Sequence, residues 1–128
     1  MEKKDFSLKP LKDAANSLQL AVKKPKDEFI RDSVIQRFEY TFELAWKTLK
    51  RYFEMNNQLR EDNVRNLIRE AARQNLISNV DKWFEYLKAR NLTSHIYSSK
   101  VADLVYDTAI DFSQEISPLI EKLEKLLE

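Results

Sequence analysis

One short segment of the chain gathers three side chains that can act together on a phosphate group. In residues 90–97 (Arg-Asn-Leu-Thr-Ser-His-Ile-Tyr), an arginine precedes the only histidine of the chain by five positions, and a tyrosine follows that histidine by two. Arginine can hold a phosphate through two parallel hydrogen bonds, and histidine is the side chain best suited to proton transfer near neutral pH. We therefore predict that Arg90, His95 and Tyr97 of this 90–97 segment handle a phosphate-containing substrate.

An inert interpretation of the same segment stays open. A histidine between two helices often bonds a backbone carbonyl, and an arginine at a helix C-terminus is favoured by the helix dipole. Tyr97 would then pack against the protein, with its hydroxyl bonded to the backbone. On this hypothesis the chain is a non-catalytic structural dimerisation module.

Composition narrows the fold class. With 128 residues the chain is long enough for one domain, residues 1–128, with a buried core. It contains no glycine, which hairpins, bulges and the phosphate turns of nucleotide-binding folds require. Apolar residues (43%) and charged residues (34%) are interleaved, as in amphipathic helices. These features favour a helical fold over strand-rich and nucleotide-binding folds.

Composition also bears on ligands and location. The absence of cysteine and the single histidine argue against a metal centre, and we expect neither a metal nor a cofactor. No apolar run is long enough to span a bilayer, so we expect no membrane association and a cytoplasmic location. The net charge of +1 argues against a generic nucleic-acid coat. It leaves room for a small, local phosphate site.

Apolar residues recur at spacings of three and four, the pattern of helices with one buried face. The fold predicted from this pattern is all-α, an up-and-down four-helix bundle with one additional short helix. The predicted helices cover about residues 7–23, 28–56, 62–75, 80–91 and the stretch after residue 98. Their predicted N-caps are Ser7, Asp27, Asp62 and Ser98 or Ser99. Pro118 is expected to kink the last helix near residues 114–117.

The second helix carries an unusually broad apolar arc. Its predicted inward residues are Phe29, Ile30, Val34, Phe38, Phe42, Ala45, Trp46, Leu49, Tyr52 and Phe53. Such an arc is wider than one neighbouring helix covers, so a homodimer contact is the simplest explanation. The sequence leaves open whether the second or the fifth helix forms that contact.

Two carboxylates on the second helix have two interpretations. Glu39 and Glu43 lie four residues apart, and Lys47 follows one turn later. The simple interpretation is a solvated edge with a Glu43–Lys47 ion pair. In the alternative, Glu39 or Glu43 faces Arg90 and orients it. Arg90 follows Trp83 by seven residues, which places its stem on the apolar side of the fourth helix.

Two stretches resemble the hallmarks of one family. The run from Asp32 to Lys47 resembles the signature helix of the nucleotidyltransferase substrate-binding protein family, which belongs to the HEPN superfamily of helical domains. The 90–97 segment is similar to the second hallmark of that family, in which Arg-Asn and a spacer precede His, any residue and Tyr. The helix-two run is the more specific of the two matches.

The resemblance implies a HEPN-like bundle, a homodimer and a minimal nucleotidyltransferase encoded nearby as partner. The predicted function is that of a substrate-binding subunit, which binds a nucleotide or another phosphate-containing substrate at the 90–97 segment for that partner.

In HepT-like toxin relatives, the Arg–His pair cleaves RNA without a metal, and the nucleotidyltransferase acts as the antitoxin. The alternative function implied here is therefore a ribonuclease toxin, with Arg90 and His95 as the catalytic pair and Asn91 as a supporting residue. Tyr97 would be the residue that the antitoxin modifies. Many ribonuclease members have glycine where this chain has Ile96, so we expect a tighter or more helical turn here.

RNA cleavage would also give a functional reason for a homodimer, which contains two copies of the single histidine. RNA supplies its own nucleophile, the 2′-hydroxyl, so the enzyme has to move protons and stabilise charge. One histidine cannot be base and acid at the same moment, whereas a two-fold dimer would bring two together. A nucleotidyl group on Tyr97 would place negative charge beside Arg90 and compete with the substrate phosphate.

Overall fold

The computed structural model describes residues 6–56 and 63–128, and no strand occurs among them. The helices are α1 (Lys9–Val22), α2 (Glu28–Met55), α3 (Val64–Arg73), α4 (Val80–Leu92) and α5 (Ser99–Leu126), with a 3-10 turn at Thr93–His95 after α4. None of the described helices is both long and apolar enough to cross a membrane.

The four long helices form a bundle, and the short α3 is inserted between α2 and α4. α1 packs against α2 and α5, and α4 packs against α2, α3 and α5. α4 runs antiparallel to α5, because Lys82 near the start of α4 pairs with Glu115, while Tyr86 one turn later bonds Asp111. The predicted all-α bundle of four main helices and one short helix is confirmed.

Two of the predicted caps are confirmed. The Asp27 carboxylate accepts the N–H of Ile30 at 2.7 Å at the start of α2, and the Ser98 hydroxyl accepts the N–H of Val101 at 3.2 Å at the start of α5. Each side chain satisfies one of the backbone donors that a helix N-terminus leaves without an intrahelical partner. Ser98 thereby fixes where the 90–97 segment ends and α5 begins.

The other two predicted caps differ from the structure. Ser7 accepts the N–H of Lys9 at 3.2 Å, a local turn that precedes the helix, so α1 begins at Lys9 rather than at Ser7. At α3, Asn63 accepts the N–H of Asn66 at 2.8 Å and is the cap. The predicted cap, Asp62, lies outside the described residues.

The end of α3 shows how this chain closes a helix without glycine. Asn75 has φ = 60°, in the left-handed region. The N–H of Asn75 bonds the carbonyl of Ala72 at 3.0 Å, and that of Leu76 bonds the carbonyl of Ala71 at 2.9 Å, which is the Schellman pattern. Asparagine tolerates this backbone better than most residues. α3 therefore ends at Arg73, two residues before the predicted end.

An aromatic cluster joins α2, α4 and α5. The ring of Phe112 lies 5.3 Å from Phe38, 5.8 Å from Phe42, 5.6 Å from Trp83 and 5.3 Å from Tyr86, measured between ring centroids. Most of these contacts are edge-to-face, the arrangement that aromatic quadrupoles favour. The cluster positions α4, which carries Arg90.

The broad apolar arc of α2 is covered within one chain. α1, α3, α4 and α5 all pack against α2, so the arc is shared among four helices. Phe29 does not belong to it, because 82% of its surface is exposed at the first turn of the helix. The arc therefore needs no second copy of the chain to be covered, and the homodimer stays a prediction. Its width gives no evidence for a second copy of the chain.

α5 continues through Pro118 as one helix from Ser99 to Leu126. Gln19 of α1 donates its side-chain amide to the carbonyl of Ser113 and to the hydroxyl of Ser117, both at 2.9 Å. These bonds support the turn before the proline, where the ring removes a backbone donor. The kink near residues 114–117 stays a prediction.

Tyr86 is a buried polar contact between α4 and α5, and the sequence pattern did not place it inside. Its hydroxyl donates to the carboxylate of Asp111, which also lies 3.5 Å from the ammonium of Lys82. Burial, followed by the hydrogen bond to Asp111, raises the pKa of Tyr86 far above its ordinary value. The folded protein therefore holds this phenol in its neutral form.

Replacing Tyr86→Phe should lower the free energy of unfolding at pH 7 by about 1–2 kcal/mol, because a hydrogen bond to a charged group is lost. The phenol's contribution is complete below its unfolded pKa of about 10 and is lost as the pH rises above that value. Urea unfolding at a series of pH values should show the parent losing stability above pH ~10 more steeply than the variant. Tyr97→Phe, at an exposed ring, should keep the parent profile, and identical profiles for Tyr86→Phe and the parent would contradict this account.

Candidate functional site

The last turn of α4 and the 3-10 turn after it form one closed unit. The backbone N–H of Thr93 bonds the carbonyl of Arg90, and the hydroxyl of Thr93 donates to the same oxygen at 2.7 Å. These two bonds satisfy a carbonyl that the end of a helix would otherwise leave free. Arg90 and the Thr93–His95 turn are therefore held in one fixed local arrangement.

Ile96 anchors the chain immediately after this turn. Its backbone is extended (φ = −89°, ψ = 97°), and its side chain is half-buried against the core. Side chains alternate in direction along an extended backbone. With Ile96 turned inward, His95 and Tyr97 both face solvent.

The tighter or more helical turn expected at Ile96 is observed only in part. The segment is helical up to His95, as a 3-10 turn, and becomes extended at Ile96. The negative φ of Ile96 suits any residue, so this backbone does not need the glycine that many ribonuclease relatives have there.

Glu43 of α2 lies at the centre of a group of donors. One of its oxygens accepts hydrogen bonds from the guanidinium of Arg90 and from the indole N–H of Trp46, each at 3.2 Å. Its other oxygen lies 3.5 Å from the ammonium of Lys47. Both interpretations drawn from the sequence therefore describe Glu43, which pairs with Lys47 and also faces Arg90.

Glu39 does not take part in this group. It is half-buried one turn before Glu43, and it forms no hydrogen bond or ion pair with any residue of the described chain. Sequence reasoning also missed Trp46 as a member. Its spacing of three from Glu43 was the available signal, because residues three apart are neighbours on a helix.

The exposed rings of His95 and Tyr97 lie side by side. Their centroids are 6.3 Å apart, and the planes are inclined by 48°. Tyr97 is 86% exposed, and within the described residues neither ring group has a hydrogen-bond partner. The inert interpretation expected a histidine bonded to a carbonyl and a packed tyrosine, and the described residues show neither arrangement.

Asn91 points away from this group. It is exposed and lines a groove beside Arg65, Phe84 and Lys88, on the outer side of α4. Successive helical residues diverge by about 100°, which separates it from its neighbour Arg90. The structure therefore separates Arg90, Asn91, His95 and Tyr97 into three groups. Arg90 is held at Glu43, the rings of His95 and Tyr97 face solvent, and Asn91 lies in the groove.

The cluster around Glu43 has a net positive charge. Arg90 and Lys47 bring two cations to one carboxylate, and Arg90 and Glu43 keep 27% and 31% of their side-chain surface exposed. A guanidinium that is held on one side and reachable on the other can bind an anion without losing its orientation. The exposed imidazole of His95 adds a group that can accept or give a proton.

Comparison with known proteins identifies a family for this chain. The model of the family described as "Nucleotidyltransferase substrate binding protein like" matches residues 6–125. A Haemophilus influenzae protein named "Probable ribonuclease HepT" is 37% identical over 95 residues, which make up 71% of this chain. The match spans 65% of the length of that relative.

Two solved structures share the fold. A Thermus thermophilus protein superposes with a TM-score of 0.82 at 26% identity, covering 88% of this chain and 98% of the other. A Haemophilus influenzae protein, described as revealing the fold of a substrate binding domain of a nucleotidyltransferase, gives a TM-score of 0.79 at 31% identity. That match covers 92% of this chain and 99% of the other.

Replacing Glu43→Ala should lower the free energy of unfolding by about 1–2 kcal/mol, because the bonds from Trp46 and Arg90 are lost together. Glu39→Ala is the matched control one turn earlier, and its effect should stay within about 0.5 kcal/mol. Urea unfolding measures both changes. In an NMR spectrum the indole N–H signal of Trp46 should move in the Glu43 variant and stay in place in the Glu39 variant. Equal losses of stability in the two variants would contradict the central role of Glu43.

Proposed function

We propose a function from one premise, which is that the chain belongs to the nucleotidyltransferase substrate binding protein like family, matched over residues 6–125. The chain pairs with a minimal nucleotidyltransferase and binds a nucleotide or another phosphate-containing substrate at the 90–97 segment. The observation that carries the proposal is the half-buried guanidinium of Arg90, fixed by Glu43, at the end of α4 that leads into the exposed His95 and Tyr97.

Arg90 is the phosphate-binding residue in this proposal. Its bond to Glu43 uses one terminal nitrogen and leaves further N–H donors of the guanidinium available. The bond also orients the guanidinium plane, so a phosphate meets a donor that has already lost its rotational freedom. In this proposal Glu43 orients Arg90, and Lys47 beside it offsets the negative charge of the carboxylate.

Tyr97 is the residue on which the partner acts. Its hydroxyl is reachable, because 86% of the side chain is exposed. In nucleotidyl transfer the phenol oxygen attacks the α-phosphorus of a nucleoside triphosphate, pyrophosphate leaves, and a base of the nucleotidyltransferase takes the phenol proton. The product carries a negative phosphodiester close to His95, whose ring lies 6.3 Å away.

Co-expression with a minimal nucleotidyltransferase encoded beside this gene should give a complex that co-elutes in size-exclusion chromatography. After incubation with ATP, mass spectrometry should find a nucleotidyl group on the Tyr97 peptide. Tyr97→Phe should abolish the added mass, and Tyr40→Phe, a change at another exposed tyrosine, should not. Separate elution together with an unmodified Tyr97 would overturn the proposal.

A second candidate function is metal-independent RNA cleavage, and the exposed His95 favours it. Its imidazole is not engaged by any hydrogen bond within the described residues, so it is available for proton transfer. The Haemophilus influenzae relative named as a probable ribonuclease supports the same chemistry.

The cleavage uses the 2′-hydroxyl of the RNA. This oxygen attacks the neighbouring phosphorus, the 5′-oxygen leaves, and a 2′,3′-cyclic phosphate forms. A base takes the proton of the 2′-hydroxyl, and an acid gives a proton to the leaving oxygen. We propose that a homodimer supplies both groups as two copies of His95, with Arg90 stabilising the charge on the phosphate.

His95→Ala should slow cleavage of single-stranded RNA by about 10²–10⁴-fold, the usual contribution of a general base or acid. Arg90→Ala should slow cleavage as well. If the parent arrests growth when it is expressed, cells that express either variant instead should continue to grow. Ser94→Ala, at the exposed residue before the histidine, is the matched control and should cleave as the parent does. If His95→Ala remains as active as the parent, His95 is not the catalytic group.

A further inference from the structure

A groove on the outer side of α4 opens beside the 90–97 segment. Its volume is about 550 Å³, and it is lined by Arg65 of α3 and by Phe84, Glu85, Leu87, Lys88, Asn91 and Leu92 of α4. We propose that this groove is a subsite for one nucleotide unit, which binds its phosphate through Arg65 and Lys88 and stacks its base beside Phe84. The inference deepens the proposed function, because it names the chemistry of the substrate next to the 90–97 segment.

Two cations of the groove have no anionic partner among the described residues. Arg65 and Lys88 form no ion pair with any residue in that part of the chain, whereas Arg31, Lys82 and Arg90 each pair with a carboxylate. Glu85 is the single carboxylate among the described lining residues, so the lining carries an excess of positive charge. A phosphate supplies the missing anion.

The ring of Phe84 and the guanidinium groups beside it form a surface on which a nucleobase can stack. The guanidinium of Arg65 lies 4.3 Å from the centre of the Phe84 ring, and that of Arg69 lies 5.4 Å from the same ring. Guanidinium groups over an aromatic ring are held there by cation–π attraction. Nucleobases stack on aromatic rings and on arginine planes of this kind.

The groove leads towards the proposed reaction site. Asn91 and Leu92 line its end, and the Thr93–His95 turn follows them directly. Phe84 and Asn91 are seven residues apart, so the groove extends about 10 Å along the helix axis. The end of the groove therefore adjoins the turn that carries His95. Asn91 lies in this groove rather than beside Arg90, so in this proposal it contacts the nucleotide unit.

A nucleotide unit fits these features better than an acidic peptide does. Carboxylates would satisfy Arg65 and Lys88 but would leave the ring and guanidinium surface without a planar partner. The unit can come from two sources, a free nucleoside triphosphate or a single strand of RNA. Both present a phosphate linked to a base, and the experiment below separates them.

Binding of a short fluorescein-labelled single-stranded RNA to the full chain, followed by fluorescence anisotropy at several salt concentrations, tests the subsite. Lys88→Gln should weaken binding and reduce the slope of log affinity against log salt by about 0.7, because one phosphate contact is lost. Phe84→Leu should weaken binding about tenfold with an unchanged slope, because the base and Arg65 lose the ring they pack on while every cation of the groove stays in place. Lys24→Gln removes the same charge at an exposed residue after α1 and should bind as the parent does.

Two further measurements identify the ligand. Calorimetric titration with ATP shows whether a free nucleotide binds with the same dependence on Lys88 and Phe84, and binding of either ligand with that dependence supports the subsite. Polyphosphate, which has charge but no bases, should displace the RNA less well than unlabelled RNA does. Equal displacement by polyphosphate, or parent-like affinity of both groove variants for RNA and ATP, would overturn the subsite.

The results of these binding experiments can be distinguished from the results that test the proposed function. Modification of Tyr97 or cleavage by His95, combined with groove variants that bind like the parent, would leave the proposed function standing and remove the subsite. Weakened ligand binding in the groove variants, combined with an unmodified Tyr97 and no cleavage, would do the reverse. Thermal melts followed by circular dichroism check that Phe84→Leu is folded, and Lys88→Gln changes an exposed residue.

Discussion

The contact of Phe112 with four other aromatic rings is the constraint on which the site depends. These rings come from α2, α4 and α5, and their edge-to-face contacts leave little freedom in how α4 lies across the bundle. Tyr86 adds a hydrogen bond from the same face of α4 to Asp111. Because α4 is fixed along its length, its last turn arrives at a defined place beside α2. The meeting of Arg90 with Glu43 is a consequence of that packing.

The Arg90–Glu43 pair matters more for position than for stability. Both side chains remain about one-third exposed, and ion pairs in such surroundings contribute little net free energy, because solvent screens them and desolvation opposes them. The indole N–H of Trp46 binds the same carboxylate oxygen and restricts it further. The result is a guanidinium with a set direction at modest cost. A substrate phosphate would then share the arginine with Glu43 instead of competing for a freely rotating side chain.

Sequence periodicity predicted the helices well. The sequence also identified individual candidate site residues, but it did not show which of them meet in space. The caps Asp27 and Ser98 have a local cause, a side-chain oxygen close to a free backbone donor, so the sequence was sufficient for them. The inward position of Tyr86 and the outward position of Asn91 depend on how α4 is rotated about its axis. That rotation is set by rings on α2 and α5 that are distant in sequence. The coverage of α2 by four helices of the same chain likewise depends on tertiary packing, so the width of its apolar arc is not by itself evidence for a dimer contact.

The two proposed functions share Arg90 and place their reacting groups, the Tyr97 hydroxyl and the His95 imidazole, side by side, so each would interfere with the other. Ile96 is half-buried against the core, and His95 and Tyr97 on either side of it face solvent with their rings 6.3 Å apart. A nucleotidyl group on Tyr97 would bring its phosphodiester and its base close to the imidazole. The negative charge would repel an RNA phosphate, and the added nucleotide would occupy space beside the His95 ring. Modification by the partner would thus block substrate binding through charge and through volume, without any change in the fold. Substrate binding and its inhibition would then be two states of the same short segment.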